Sequence, residues 1–297
     1  MQVFITGGSG FVGRAVIQRL INEGHSVRAL VRAEGAVRGI AEVEEVLGDT
    51  TQPETLSAQL SDCDAVIHLV GIIREFPKKR VTFQQLHVAS TANVLEAATA
   101  QGVKRFLQMS ANGTRADAIT RYHQTKWEAE EQVRQSGLDW TIFRPSLIYG
   151  PDDQFINLLA RLIKALPVVP VMGNGDYQLQ PVHVADVAAG FVRALETSGA
   201  VGKTYHCCGP EVLSYNQLLD VIARCLGQRG GARKLHQPLW LMQPVVAAMQ
   251  SIPQFPMTSD QLQMLLEGNV CPDCCWKDDL TLELQNLTSG IQAYLQV

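Results

Sequence analysis

The sequence is short of what would tie it to a nucleic acid, a bilayer or an oxidising compartment. Its 25 Lys and Arg are outnumbered by 29 Asp and Glu, for a formal net charge of −4. No overall positive field is therefore available to hold nucleic acid or an anionic membrane surface. Long hydrophobic runs are missing too. Pro238 to Met249 is broken by Gln243 and Pro244, and at about a dozen residues it falls well short of the ~20 needed to span a bilayer. Met1 leads directly into strand-like sequence, without a charged n-region and an apolar h-region, so the chain is expected in the cytosol. Seven cysteines without a leader read as reduced thiols rather than as a disulfide framework. Nothing repeats at a fixed period, and no Gly-x-Ser-x-Gly elbow precedes a helix, so Ser-His-Asp hydrolysis has no scaffold here.

Glycine is plentiful where it matters. Val3 to Arg14 reads V-F-I-T-G-G-S-G-F-V-G-R, an apolar run followed by Gly7, Gly10 and Gly13 and then an amphipathic segment. A strand that ends in such a turn and passes straight into a helix aims backbone N–H groups and the positive end of the helix dipole at one point, where a pyrophosphate fits. Gly7 allows the tight turn, Gly10 lets the backbone approach phosphate oxygens, and Gly13 lets helix and strand pack closely.

Downstream, short apolar strands alternate with helical segments, the signature of a doubly wound parallel sheet, an α/β Rossmann fold. Strands are expected at Ser26 to Val31, Val43 to Leu47, Ala65 to Val70, Arg105 to Ser110, Trp140 to Arg144 and Thr204 to Cys207, with a long helix over Phe83 to Ala100. The second strand ends in Val31-Arg32-Ala33, where an NAD-binding unit usually places a carboxylate for the ribose hydroxyls. Arg32 suits the extra phosphate of NADP, and Glu34 two residues on keeps NAD open, so NADP is preferred over NAD. Asp49 after the third strand is placed to meet an adenine edge, and His68 inside the fourth reads as a satisfied core residue. Ile72 to Val81 carries Arg74, Lys78, Lys79 and Arg80 around Phe76 and Pro77; it reads as a solvated loop, with a mobile basic flap as the alternative.

Tyr122 and Lys126 lie one turn apart on a helix that follows the fifth strand, on a face shared with Ala129 and Val133. For a phenol of ordinary pKa ~10 to exchange protons near pH 7, its phenolate needs about 4 kcal/mol of stabilisation, part of which an adjacent ammonium supplies. From Gly209 the texture becomes Pro-, Gln- and Met-rich, with a capping box at Ser214-x-x-Gln217 opening a helix to Leu226. The expected division is residues 1–150 with 181–208 as the dinucleotide-binding domain, and 151–180 with 209–297 as a smaller, mainly helical cap. The ligand is expected in the crevice between them, at the carboxyl ends of the strands.

The glycine turn, Gly48-Asp49, Tyr122/Lys126, the run from Arg144-Pro145 to Tyr149-Gly150-Pro151 and His183-Val-Ala-Asp186 together resemble an extended or atypical short-chain dehydrogenase/reductase of the epimerase/dehydratase type. Within that superfamily, Thr258 to Val270 looks like the branch containing the NADPH-binding accessory subunit of respiratory complex I and its bacterial relatives. The resemblance implies that Gly7, Ser9, Gly10, Phe11, Val12 and Gly13 hold the pyrophosphate. It gives Arg32 the ribose phosphate, Asp49 and Thr50 the adenine, and Leu69, Val70 and Gly71 the adenosine ribose side. Tyr122 becomes the acid/base, Lys126 its pKa partner and ribose clamp, and Pro145 a wall near the nicotinamide. A catalytic Ser or Thr normally follows the fifth strand. Here the run is Met109-Ser110-Ala111-Asn112-Gly113, which leaves open whether Ser110 stands in that place, and His87 occupies the position where an Asn is usual.

Two functions follow as expectations. The first is hydride transfer between nicotinamide and an unidentified small-molecule substrate, with Tyr122 exchanging the proton. The second is a non-catalytic NADPH-binding accessory or sensor protein that docks on a respiratory or quinone-related complex and is peripheral to the membrane. Cys271-Pro-Asp-Cys274-Cys275 has zinc-like C-x-x-C spacing but no second such pair, so it reads as a loop without a metal, with a redox thiol as the alternative. Leu239 to Met257, with Trp240, Met242, Met249 and Phe255, reads as packed core, with a docking face as the alternative.

Overall fold

The computed structural model describes residues 1–250, 252, 255 and 257–295. β1 (Gln2–Thr6) runs into α1 (Phe11–Asn22), then β2 (Ser26–Val31), β3 (Val43–Leu47) and β4 (Ala65–His68). A π-helical stretch over Gln84–Ala89 leads into α2 (Ser90–Ala100), followed by β5 (Arg105–Met109), α3 (Arg121–Gln135) and β6 (Asp139–Pro145). Next come β7 (Ile148–Tyr149), α4 (Phe155–Ala165), β8 (Val169–Met172), β9 (Gln178–Leu179), β10 (Val182–His183), α5 (Val184–Glu196) and β11 (Lys203–Cys207). The chain ends through β12 (Leu213–Ser214), α6 (Tyr215–Cys225), β13 (Lys234–Gln237), α7 (Leu239–Met249), α8 (Ser259–Glu267), α9 (Cys275–Asp279) and α10 (Leu287–Gln292). The expected single helix from Phe83 is thus two helical segments of different pitch.

Contacts divide the chain into two units. The first comprises Met1–Pro145, Val184–Cys207 and Asp273–Glu283. Its seven-stranded sheet runs β11-β6-β5-β4-β1-β2-β3 with every neighbouring pair parallel. The central strands β1 and β4 are almost wholly apolar and buried, as a sheet covered by helices on both faces requires. Strand order reverses between β1 and β4, so the turns that leave their carboxyl ends stand side by side at the point where such sheets take ligands.

The second unit comprises Ser146–His183, Cys208–Pro272 and Leu284–Val297. It has a core of its own around Tyr149, Ile156, Leu218, Leu219, Ile222 and Ile291. Small two-stranded sheets, β7 with β10, β9 with β12 and β8 with β13, surround it. The Ser214 capping box on α6 forms as the spacing predicts, and Thr258 with Gln261 makes a second one on α8.

The division differs from the expected one in two ways. The chain leaves the first unit at Pro145 and returns at Val184, a few residues inside the expected limits, and Asp273–Glu283 belongs to the first unit rather than to the cap. The reason is Trp276. Its fully buried ring lies against α5, where a Cβ added to Gly190 would come within 2.8 Å of it. Asp279, from the same helix, accepts hydrogen bonds from Lys203 and Tyr205 of β11 at 2.5 and 3.2 Å.

Leu239 to Met257 departs from the packed-core reading as well. In α7 only Val246 is buried, whereas Trp240 is 75% exposed. Residues 251, 253, 254 and 256 of that stretch lie outside the described residues.

Candidate functional site

The glycine turn has backbone geometry that only glycine sustains. Gly7 has φ 75°, and a Cβ there would stand 3.0 Å from the Leu69 carbonyl carbon and 3.1 Å from Val70 N, so the β1 turn packs directly on the β4 turn. A Cβ on Gly13 would fall 2.2 Å from Gly7 O, which lets α1 press onto the turn. Gly8, not singled out from the sequence, is less constrained, because only the end of the Ile17 side chain, Cδ1, stands 2.8 Å from its would-be Cβ. The N-cap of α1 is Gly10, without a side-chain cap, and the first turn carries no acidic residue. Its leading N–H groups therefore face outward uncapped beside exposed Ser9 and Gly10, with Phe11 half-buried and Val12 buried. A concave turn of glycines, uncapped N–H groups and a helix dipole is the donor set that a pyrophosphate requires, and these residues fit a dinucleotide.

Around this turn, Arg32 is exposed and its side chain makes no hydrogen bond or ion pair among the described residues. The loop after it is held in place: Glu45 accepts from the N–H of Gly35 and Val37, and Arg14 donates to the carbonyls of Ala36 and Arg38. Asp49 folds back on Thr51, accepting from its N–H and hydroxyl at 2.9 and 2.8 Å. The Thr50 carbonyl accepts from Asn93 of α2. The basic segment forms a short turn, with Phe76 and Val81 bridged, Pro77–Lys79 in a 3-10 helix, and Lys78, Lys79 and Arg80 exposed.

On the other side, α3 begins at Thr120, whose hydroxyl caps His123 N–H. Tyr122 is half-buried in an aromatic collar, with ring centroids of Phe83, His87 and His123 5.2 to 5.8 Å away, all edge-on. Its hydroxyl has no hydrogen-bond partner among the described residues. Burial pushes the phenol up to about 12. Lys126, one turn on, is buried, and its Nζ donates to the Met109 carbonyl at the end of β5, 3.2 Å away. Burial lowers it to about 8 against the opposing pull of Glu130. Lys126 is thus bonded to a backbone carbonyl, and desolvation is what raises Tyr122.

Two histidines flank this ammonium, and both are held neutral. His68 is fully buried, with Nδ1 2.6 Å from the Thr6 hydroxyl, and burial and then Lys126 lower it to about 3. His87 is bonded through Nδ1 to Thr125 and through Nε2 to the main chain of Ile72, and burial followed by Lys126 lowers it strongly.

Ser110 is buried, and its hydroxyl donates to Thr114 at 3.4 Å, while Asn112 Oδ1 is held by His206 Nδ1 at 2.9 Å. Pro145, buried at the end of β6, receives the Asn112 N–H on its carbonyl. The sequence reading missed what anchors this end of β6. Glu130 is fully buried and accepts from Nε and Nη2 of Arg144, at 2.8 and 2.6 Å, and from Arg134 at 2.6 Å. An acidic residue eight positions after Tyr122, on the apolar stripe of α3, was the signal available.

Of the cysteine run, Cys275 is exposed, and its thiol donates to Asp273 at 3.1 Å. Burial and that carboxylate push it up to about 11, away from the thiolate that redox chemistry uses. No group of three His, Cys, Asp or Glu able to hold a metal comes together among the described residues.

With this geometry in view, residues 3–208 match the NAD dependent epimerase/dehydratase family. The chain belongs to that family. It is thus an NAD(P)-binding Rossmann protein of epimerase type. It is 28% identical over 295 residues, 95% of this chain and 72% of the other, to NADH dehydrogenase (ubiquinone) 1 alpha subcomplex subunit 9, mitochondrial, of Arabidopsis thaliana. It is 31% identical over 231 residues, 69% of this chain and 67% of the other, to the 4-hydroxy-2-methyl-3-oxo-4-farnesyl-3,4-dihydroquinoline-1-oxide ketoreductase of Stigmatella aurantiaca. The UDP-glucose 4-epimerase of Thermotoga maritima has the same fold, with a TM-score of 0.77 at 18% identity over 99% of this chain and 98% of that one. No helix among the described residues is long and apolar enough to cross a membrane.

Proposed function

We propose that this family member is an NADP(H)-dependent reductase that delivers a proton from Tyr122 to the oxygen of a carbonyl substrate. The observation that carries the reading is the placement of Lys126 Nζ at the Gly71 turn, one helical turn after Tyr122. On this reading Lys126 meets the ribose hydroxyls and Tyr122 the substrate, beside the turn that follows β4. The nicotinamide nucleotide, when bound, supplies the hydride. Tyr122, a phenol that is protonated at neutral pH and that burial raises further, acts as the general acid. Ser110, backed by Thr114, supplies a second donor to the same oxygen. Gly7 to Gly13 take the pyrophosphate, Arg32 the 2′-phosphate, Asp49 and Thr50 the adenine, Leu69 to Gly71 the adenosine ribose, and Pro145 the nicotinamide wall. The test is turnover of NADPH against a carbonyl and quinone panel by wild type and Tyr122→Phe. Loss of turnover with retained NADPH binding supports the proposal, and unchanged turnover removes Tyr122 from it.

A second reading, a non-catalytic NADPH-binding accessory protein of the cytosol that docks on a respiratory assembly, is favoured by one observation. The likeness to the Arabidopsis subunit runs over 95% of this chain. An NADPH-induced rise in Tm without hydride transfer to any member of the panel, together with recovery of a respiratory partner, would select it.

A further inference from the structure

One stretch of the second unit reverses the charge balance of the whole chain. Between Asp220 and Asp260 there is no acidic residue, whereas Arg224, Arg229, Arg233 and Lys234 all fall within it. Arg229 and Arg233 are exposed, and neither side chain makes an ion pair among the described residues. Into this cationic stretch the chain inserts its most apolar exposed element. β13 pairs in parallel with β8, setting Leu235 opposite Pro170, both on the open face of the ribbon. Pro238 then starts α7, whose Leu239 packs at the Gly173 turn that follows β8, 3.3 Å from where a Cβ would stand. Trp240 is 75% and Leu241 48% exposed, and Val245 and Met249 follow on the same helix.

A helix that is apolar on most sides belongs in a core or in hydrocarbon. In α7 only Gln243 is polar and only Val246 is buried, and its 11 residues, about 16 Å at helical rise, cannot cross a bilayer. Lys234 is ion-paired with Asp220 at 2.6 Å, which leaves Arg229 and Arg233 as the uncompensated cations. An apolar segment of that length preceded by such arginines, with a Trp at the first turn, matches the chemistry of a bilayer interface. Acyl chains take up the Leu, Val and Met, the indole sits at headgroup level, and anionic headgroups meet the guanidinium groups. A protein groove would call for one apolar stripe backed by a polar face, which α7 lacks.

We infer that α7, together with Arg229 and Arg233 ahead of β13, forms an anchoring surface for an anionic phospholipid bilayer. The anchor is independent of the nucleotide site and of the reading proposed for it.

Co-sedimentation of the full chain with vesicles of phosphatidylcholine alone, and with ~30% phosphatidylglycerol, tests this. Binding is expected to the anionic vesicles and to fall with salt. Arg229→Gln with Arg233→Gln should weaken it roughly 25-fold, about fivefold per cation at ~1 kcal/mol each. Trp240→Asp with Leu241→Asp should abolish it, with Tm and NADPH binding unchanged. In the unaltered protein, brominated lipid should quench a tryptophan signal that Trp240→Phe removes. Equal binding to both vesicle types, no binding to either, or binding that survives the Trp240/Leu241 double variant overturns the inference. So does a wild-type dimer that this double variant splits, because a second copy then covers the face.

Discussion

Lys126 Nζ occupies the space that a side chain at Gly71 would need: a Cβ built there stands 2.8 Å from it. The turn after β4 and Lys126 of α3 are therefore one packed unit, and the glycine is explained by the ammonium. Gly71→Ala is expected to fold with a stability loss under about 1 kcal/mol, since the obstructing atom is the end of a flexible chain. It should weaken NADPH binding roughly tenfold. Gly13→Ala meets the Gly7 carbonyl, which cannot yield, at 2.2 Å, and should cost about 1–3 kcal/mol or more. Urea titration with parallel calorimetry of NADPH binding separates the two, and equal stability losses would refute the distinction.

Arg32 offers an exposed guanidinium without a partner among the described residues. If it meets the 2′-phosphate, Arg32→Ala removes a charge-assisted hydrogen bond of about 1.5–3 kcal/mol and lowers NADPH affinity roughly ten- to a hundredfold, leaving NADH affinity in place. A parallel loss for both nucleotides would assign Arg32 elsewhere.

Lys126 falls from 10.5 to about 8 on folding because burial penalises its charge. The unfolded chain therefore binds more protons between about pH 8 and 10.5, and by linkage stability rises with pH across that window. Below pH 8 the group is protonated in both states and its penalty is constant. Above pH 10 Tyr122, raised to about 12, opposes the trend, because the folded state then holds the extra proton. Urea midpoints at pH 7.5 and 9.5 are expected to differ in favour of pH 9.5 for wild type and to converge in Lys126→Met. A pH-independent wild type would contradict the burial of the ammonium.

Glu130 is a fully buried carboxylate shared by Arg134 and Arg144. Glu130→Gln leaves two guanidinium groups facing a neutral amide, a loss of about 3–5 kcal/mol. Chemical denaturation measures it, and a change below 1 kcal/mol would mean that water replaces the carboxylate.

Much of the first unit was legible because its signals are local. Alternation of short apolar runs with amphipathic helices placed β2 and β3 at their observed limits, and the Ser214/Gln217 spacing placed the start of α6. What misled were features whose meaning depends on remote partners. The cysteine run reads as a loop until Trp276 is seen packed on Gly190, far away in sequence. The Trp- and Met-rich stretch reads as core because composition cannot tell an apolar helix that finds a partner from one that does not. Tyr122 and Lys126 share a helix face at the spacing expected, yet spacing says nothing about the Met109 carbonyl, which draws the ammonium away.

The sequence by itself determined the family, the parallel sheet and the glycine turn after β1, because glycine at three fixed positions and period-matched apolar runs act over a few residues. The tertiary structure alone decided the directions in which Tyr122, Lys126, His68 and His87 shift, since desolvation and charge at close range exist only once distant segments have closed around them. It decided, for the same reason, which apolar residues were left outside.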